Sequence, residues 1–212
     1  LHHLAYEIVT LPGNVTISSR EGAVVLLEDL VREATHRARQ IVDEKNPELP
    51  EPKKDQVARE VALGSIKYPM VSRESSKVVT FDWESALDIN GQTAPYIQYA
   101  CVRASSILRK AGDLPVGPTP APQDQQPAEI ALVDLIARLP DEVQKAAADY
   151  KPMIIANLAF ELAKAFNDFY KDCPVLQADD ITRAFRLNLV TAARQAMQNC
   201  LTLLGIDTPE AM

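Results

Sequence analysis

The amino-acid sequence predicts a mostly α-helical protein, and three observations carry that prediction. Apolar residues recur at three- and four-residue intervals along most of the chain, and prolines and glycines gather at the ends of those periodic runs. The best strand candidate after residue 20 is the short run Lys77-Val78-Val79-Thr80-Phe81, whose β-branched and aromatic residues suit a pleated, half-buried surface. At 3.6 residues per turn, positions i, i+3, i+4 and i+7 share a face, so each periodic run marks a helix with one buried side.

Residues 24–45 place Leu27, Leu30, Val31, Ala34, Ala38, Ile41 and Val42 on such a stripe. The segment Asn46-Pro47-Glu48-Leu49-Pro50-Glu51-Pro52 stops this helix, because proline lacks an amide donor and the residue before it avoids helical angles. A second helix restarts near Lys53, with Val57, Val61, Ala62 and Ile66 on its apolar face and Tyr68-Pro69 as its expected end. Trp83, Ala86 and Leu87 suggest a helical turn closed by Gly91. Thr93 is placed to cap the next helix, and Pro95 falls in its first turn, where a missing amide proton costs nothing. That helix runs to about Lys110 and stops at Gly112.

Residues 113–127 hold Pro115, Pro118, Pro120, Pro122 and Pro127 and read as an extended linker or exposed loop. Helical periodicity then returns through Ile130, Val133 and Ile136, through Val143 and Ala147, and through Ile154, Ile155, Leu158, Leu162, Phe166 and Phe169. Pro140, Pro152 and Pro174 are expected near helix starts. A final helix carries Ile181, Phe185, Leu189, Ala192, Ala196, Cys200 and Leu203 up to Gly205. No repeat suggests a solenoid.

A chain of 212 residues with 47% hydrophobic content can bury a substantial core as one domain or two small ones. It holds no apolar run of the roughly 18 residues a membrane span needs, and a soluble, cytoplasmic protein is expected. Cys101, Cys173 and Cys200 are far apart and show no metal-ligand spacing, so buried thiols are expected rather than disulfides or zinc. His2 and His3 read as ordinary sequence, with a tag remnant or metal pair as alternatives, since adjacent side chains do not share a helix face. Opening at Leu1 without methionine suggests a piece of a longer protein.

The net charge of −7 argues against indiscriminate nucleic-acid binding. Its distribution is uneven: residues 53–111 carry nine basic and six acidic side chains, which allows a local basic face. A solvated surface of mixed sign fits the same count.

The segment Asn90-Gly91-Gln92-Thr93-Ala94-Pro95-Tyr96-Ile97-Gln98-Tyr99-Ala100 crowds small, aromatic and amide residues where a core helix would carry aliphatics. Tyr96 and Tyr99 lie three residues apart and share a helix face. Such a pair can stack on unpaired bases, or can be core aromatics with hydroxyls at the surface. Arg103 and Arg109 continue the helix toward phosphates or base edges. The pattern Gly-x-Thr-Ala-Pro-Tyr-x-x-Tyr-Ala followed by Arg103 resembles the opening of the anticodon-binding region of arginyl-tRNA synthetases.

Two further stretches carry the same resemblance. Ile17-Ser18-Ser19-Arg20-Glu21-Gly22 is similar to the Met-Ser-x-Arg-x-Gly loop that serves that family as its class I signature loop, departing from it at Ile17, Thr16 and Glu21. A surface turn ahead of a helix is the plain reading of those residues. The run Asn157 to Tyr170, then Pro174-Val175, then Thr182-Arg183-Ala184-Phe185-Arg186-Leu187, Leu203-Leu204-Gly205-Ile206 and Met212 resembles the helical anticodon-binding domain named for an Asp-Ala-Leu-Arg sequence. Read without the resemblance, Tyr170 closes an aromatic-rich helix and Met212 is the last residue.

The resemblance implies a C-terminal part of an arginyl-tRNA synthetase: a remnant of the catalytic core at residues 1–22, a helical region contacting the tRNA stem at 23–90, and an anticodon-binding helical bundle at 91–212, interrupted at 113–127. Ser18, Ser19, Arg20 and Gly22 would lie over ATP phosphates, where a guanidinium and hydroxyls supply donors to developing charge. Tyr96, Tyr99, Arg103, Arg109, Tyr170 and Met212 would contact the tRNA. The parent enzyme would use ATP and Mg2+ with arginine and arginine tRNA, while the chain alone would hold no cofactor, behave as a monomer and not charge tRNA. The alternatives are a helical protein-interaction module, favoured by the acidic total, and a tRNA-binding paralogue without charging activity, favoured by the altered loop.

Overall fold

The computed structural model describes residues 3–13, 15, 16, 26–113, 117 and 119–212, and these form eight helices and a small sheet. Helix α1 (Leu27–Lys45) and helix α2 (Glu51–Val71) make a helical hairpin across the proline-bearing segment at 46–50. Ala34, Ala38 and Val42 of α1 bury against Val57, Ala58, Val61 and Ala62 of α2. Alanines on both sides let the two helices approach closely.

The sheet lies beside this hairpin, in the order β2 (Val15–Thr16), β1 (Val9–Leu11), β3 (Val79–Thr80). Strand β1 pairs antiparallel with β2 and parallel with β3, with Thr10 opposite Thr16 and Thr80. The β3 strand confirms the expectation for residues 77–81. It feeds Phe81 into the hairpin core, where that ring meets Trp83 edge-on at 4.9 Å, at the head of the short helix α3 (Trp83–Leu87).

A second core forms among helices α4 (Ala94–Ala111), α5 (Pro127–Ala137), α6 (Leu139–Asp149), α7 (Pro152–Asp172) and α8 (Asp180–Leu203). Ile97, Cys101, Leu132, Leu162, Phe166, Phe169, Leu187, Met197 and Leu201 are buried there. Helix α2 serves both cores. Its Val57 and Val61 face α1, while Tyr68 is buried in the second core and donates its hydroxyl to the Ala156 carbonyl at 3.0 Å. Burial pushes the Tyr68 phenol up to about 12.

The capping expectations hold at α4. Thr93 accepts the Tyr96 amide at 3.2 Å, Pro95 lies in the first turn, and Gly112 leaves the helix at φ +70°. Gly205 likewise leaves α8 at φ +67°. Buried thiols are found at all of Cys101, Cys173 and Cys200.

Three boundary expectations are corrected. Helix α2 runs through Pro69 to Val71, since proline so near a helix end forfeits little of the ladder and Tyr68 is held by the second core. The turn after α3 is made by Asp88 rather than Gly91: Asp88 accepts the Asn90 amide and the Thr93 hydroxyl, and Gly91 lies against the Asp88 carboxylate. Pro174 follows the end of α7 and opens no helix; α8 starts at Asp180, capped by the Asp179 carboxylate.

One buried ion pair ties α5 to α8. Glu129 is fully buried; one carboxylate oxygen accepts Arg186 Nε at 2.6 Å and the other accepts the Gln126 amide at 2.7 Å. Arg186 also donates to the Pro174 carbonyl at 2.7 Å, fixing the connection between α7 and α8.

Candidate nucleic-acid interface

The Thr93 cap and Pro95 fix where α4 begins, and therefore which side chains appear one turn apart along its outer face: Tyr99, Arg103, Ser106 and Lys110. Tyr170 stands on the last turn of α7, and Asn167 one turn before it. The two helices bring Tyr99, Arg103, Asn167 and Tyr170 together across a sequence gap of more than sixty residues.

Arg103 is the centre of this arrangement. Its guanidinium carbon lies 4.8 Å from the Tyr99 ring centroid and 4.7 Å from that of Tyr170, and the group donates to the Asn167 side-chain oxygen. A planar cation between two aromatic rings gains from their quadrupoles while keeping donors at its edge. The residues around it line an open cavity of about 580 Å³, whose lining includes Lys110, Lys171 and Met212 and, among the described residues, no acidic side chain. Tyr170 remains 47% exposed. The arrangement offers a π surface, an oriented guanidinium and two ammonium groups, a donor set suited to unstacked bases and their phosphates.

Tyr99 and Met212 are shared with a second, more apolar cavity of about 320 Å³, lined by Ala38, Ile41, Val42 and Val61 of the hairpin. Met212 packs against the hairpin core, so it stands between the two cavities.

The six residues expected to meet RNA thus divide. Tyr99, Arg103, Tyr170 and Met212 line one cavity. Tyr96 is partly buried at the edge of the second core and packs on Phe160 of α7, with ring centroids 5.3 Å apart. Arg109 is exposed on the last turn of α4, outside the cavity lining. The expected loop residues Ser18, Ser19, Arg20 and Gly22 lie outside the described residues. Lys110, Lys171 and Asn167 were not singled out from the sequence. Their signal was helical spacing, Lys110 being seven residues beyond Arg103 and Asn167 three before Tyr170.

Cys173 also lines the cavity; burial raises its thiol, with the Glu129 carboxylate adding to the effect. Burial pushes Cys101 and Cys200 up to about 12. Thiols so raised stay protonated and serve as packing groups, not nucleophiles. Among the described residues no helix is long and apolar enough to cross a membrane.

The family described as "DALR anticodon binding domain" matches residues 97–212, and the family "tRNA synthetases class I (R), catalytic domain" matches residues 1–83. The chain is 41% identical over 220 residues to an arginine–tRNA ligase of Pyrococcus furiosus, covering all of this chain and 35% of that protein. It is 43% identical over 207 residues to one from Methanocella arvoryzae, covering 98% of this chain and 36% of the relative. The arginyl-tRNA synthetase of Thermus thermophilus superposes on the whole chain with a TM-score of 0.91 at 40% identity, using 35% of that structure. The chain therefore spans about a third of the length of the relatives it matches. With more than half of its residues matched by one family, the chain belongs to the DALR anticodon-binding family in the form found in arginyl-tRNA synthetases.

Proposed function

We propose that this chain is the tRNA-holding part of an arginine–tRNA ligase, with bases of the anticodon loop received at Tyr99, Arg103, Tyr170 and Met212. The observation that carries this reading is the Arg103 guanidinium held against two tyrosine rings in a cavity that no acidic side chain lines among the described residues. Aromatic faces favour splayed single-stranded bases, and the fixed guanidinium fork favours their edges and phosphates. Arg109 would act outside the cavity on the backbone of the same arm, and Tyr96 would act by holding α4 against α7.

The whole enzyme would activate arginine with ATP and Mg2+ and transfer it to arginine tRNA in the cytoplasm. Ser18, Ser19, Arg20 and Gly22 would contribute donors to the ATP phosphates. Residues 1–22 would belong to the catalytic core, 23–90 to a stem-contacting region and 91–212 to the anticodon domain.

Replacing Tyr170 tests the reading. A stacked base is worth about 1 to 3 kcal/mol by alanine substitution. Tyr170→Ala is expected to weaken arginine-tRNA binding by roughly five- to a hundredfold with little change in thermal stability, because its ring is half exposed. Tyr96→Ala should chiefly lower stability. Unchanged affinity in Tyr170→Ala would remove the stacking site.

A further inference from the structure

Beyond Gly205 the chain has no regular secondary structure, yet it is attached to α2 and α4 at a series of points. Lys67 donates to the Gly205 carbonyl. Ile206 is 2% exposed and fits against Gly64, where an added Cβ would come within 3.2 Å of the Ile206 side chain and 3.1 Å of Gln98. The Gln98 amide nitrogen donates to the Asp207 carbonyl at 2.8 Å and to the Glu60 carbonyl of α2 at 3.3 Å. Pro209 is buried, and Lys53 pairs with Glu210 at 2.5 Å.

These anchors follow α2 backwards through positions 67, 64, 60 and 53. At about 1.5 Å per residue that path covers roughly 21 Å of helix. The segment from Gly205 to Glu210 spans at most about 18 Å when extended. The tail therefore follows α2 along this path, with the lysine side chains reaching its two ends.

Gln98 is the joint of this strap. It is fully buried, its nitrogen is committed to the tail and to α2, and its oxygen has no hydrogen-bond partner among the described residues. A buried acceptor left unpaired is a rare cost. Gln98 is also the residue before Tyr99 on α4. The same side chain therefore registers the tail against the helix that carries the RNA-facing tyrosine.

We propose that Gln98 and the Lys53–Glu210 pair are positioning residues for the RNA cavity, holding the tail along α2 so that Met212 stands beside Tyr99 as the wall between the two cavities. They act through Met212 and touch no RNA. The assignment rests on the cavity being the anticodon site, and it concerns how that site is kept in shape.

The test uses Lys53→Glu, Glu210→Lys, the double exchange of both, and Gln98→Leu, each measured by the ¹³C-methyl resonance of Met212 and by arginine-tRNA affinity. The exchange keeps the charges and the pair. Each single variant at the surface pair should move the Met212 methyl toward its solvent-exposed position and weaken binding about three- to tenfold, and the double exchange should restore both. Glu210 is 79% exposed, so the pair can be altered without disturbing either core, which covers the case in which Gln98→Leu fails to fold. An unmoved methyl signal in Lys53→Glu overturns the strap whether or not RNA binds. A displaced methyl with unchanged affinity overturns its link to the cavity. Failure of the unsubstituted chain to prefer arginine tRNA overturns the functional reading and the RNA half of the proposal, while the methyl signal still decides the strap.

Discussion

At Arg103 a planar guanidinium is stacked on Tyr99 and Tyr170 and donates to Asn167, a geometry that the compact ammonium of lysine does not reproduce. Arg186 uses the same chemistry for structure: it is buried against Glu129 and the Pro174 carbonyl. Removing one member of a buried pair strands the other, at about 3 to 5 kcal/mol. Glu129→Ala should lose that much in urea unfolding, since it leaves Arg186 Nε and the Gln126 amide without their acceptor. A loss under about 1 kcal/mol would show that the pair is dispensable. In the sequence, Tyr96 and Tyr99 were equivalent. What separates them is Phe160, sixty-four residues away, which claims Tyr96 for the core. The Arg183 to Arg186 run was legible as a family label, but not the burial of Arg186, because Glu129 lies across the proline-rich segment on another helix.

Among the elements, α1 and α2 are joined by apolar packing and by ionic contacts. Arg39 reaches Asp43, Glu51 and Asp55, and Lys54 reaches Asp43 and Glu51. The Arg39 guanidinium, and then Lys54, hold the Asp43 and Glu51 carboxyls below their usual range. A carboxyl depressed in the folded state contributes stability that is present above its unfolded value and is lost as pH falls through the folded one. The window therefore opens near pH 4 or a little above, at about the unfolded carboxylate values, and extends downward. Unfolding followed by Trp83 fluorescence should show declining stability of this hairpin through that window, and Arg39→Gln should flatten the decline. An equally steep slope in the variant would show that these carboxyls are not the source. Helix existence was legible from periodicity, and helix ends were legible where a cap did the work, as at Thr93, Gly112 and Gly205. Pro69 misled because tertiary packing at Tyr68 outweighed a local breaker. Strand β1 carried no signal of its own: it is three residues long and is defined by its pairing with Val79 and Thr80 seventy positions on.

For the molecule as a whole, two cores share α2, and the tail crosses from the α8 end of one to the hairpin of the other. The cavity at Arg103 lies where the bundle and the tail meet. The net charge of −7 is no obstacle to RNA, because Arg103, Lys110 and Lys171 gather on one lining while Asp43, Glu51, Asp55 and Glu129 are engaged in ion pairs elsewhere. The fold class was legible because helical periodicity is local. The assembly of the cavity was not, since it depends on α4, α7 and residue 212 meeting in space. Anticodon-loop binding at Arg103 is decided by titrating the 212-residue chain with arginine tRNA and with a tRNA of unrelated anticodon, at low and at raised salt. Preference for arginine tRNA is expected, with a steep loss of affinity as salt rises, because phosphate contacts release counterions. Equal affinity for the two tRNAs, or binding indifferent to salt, would contradict it.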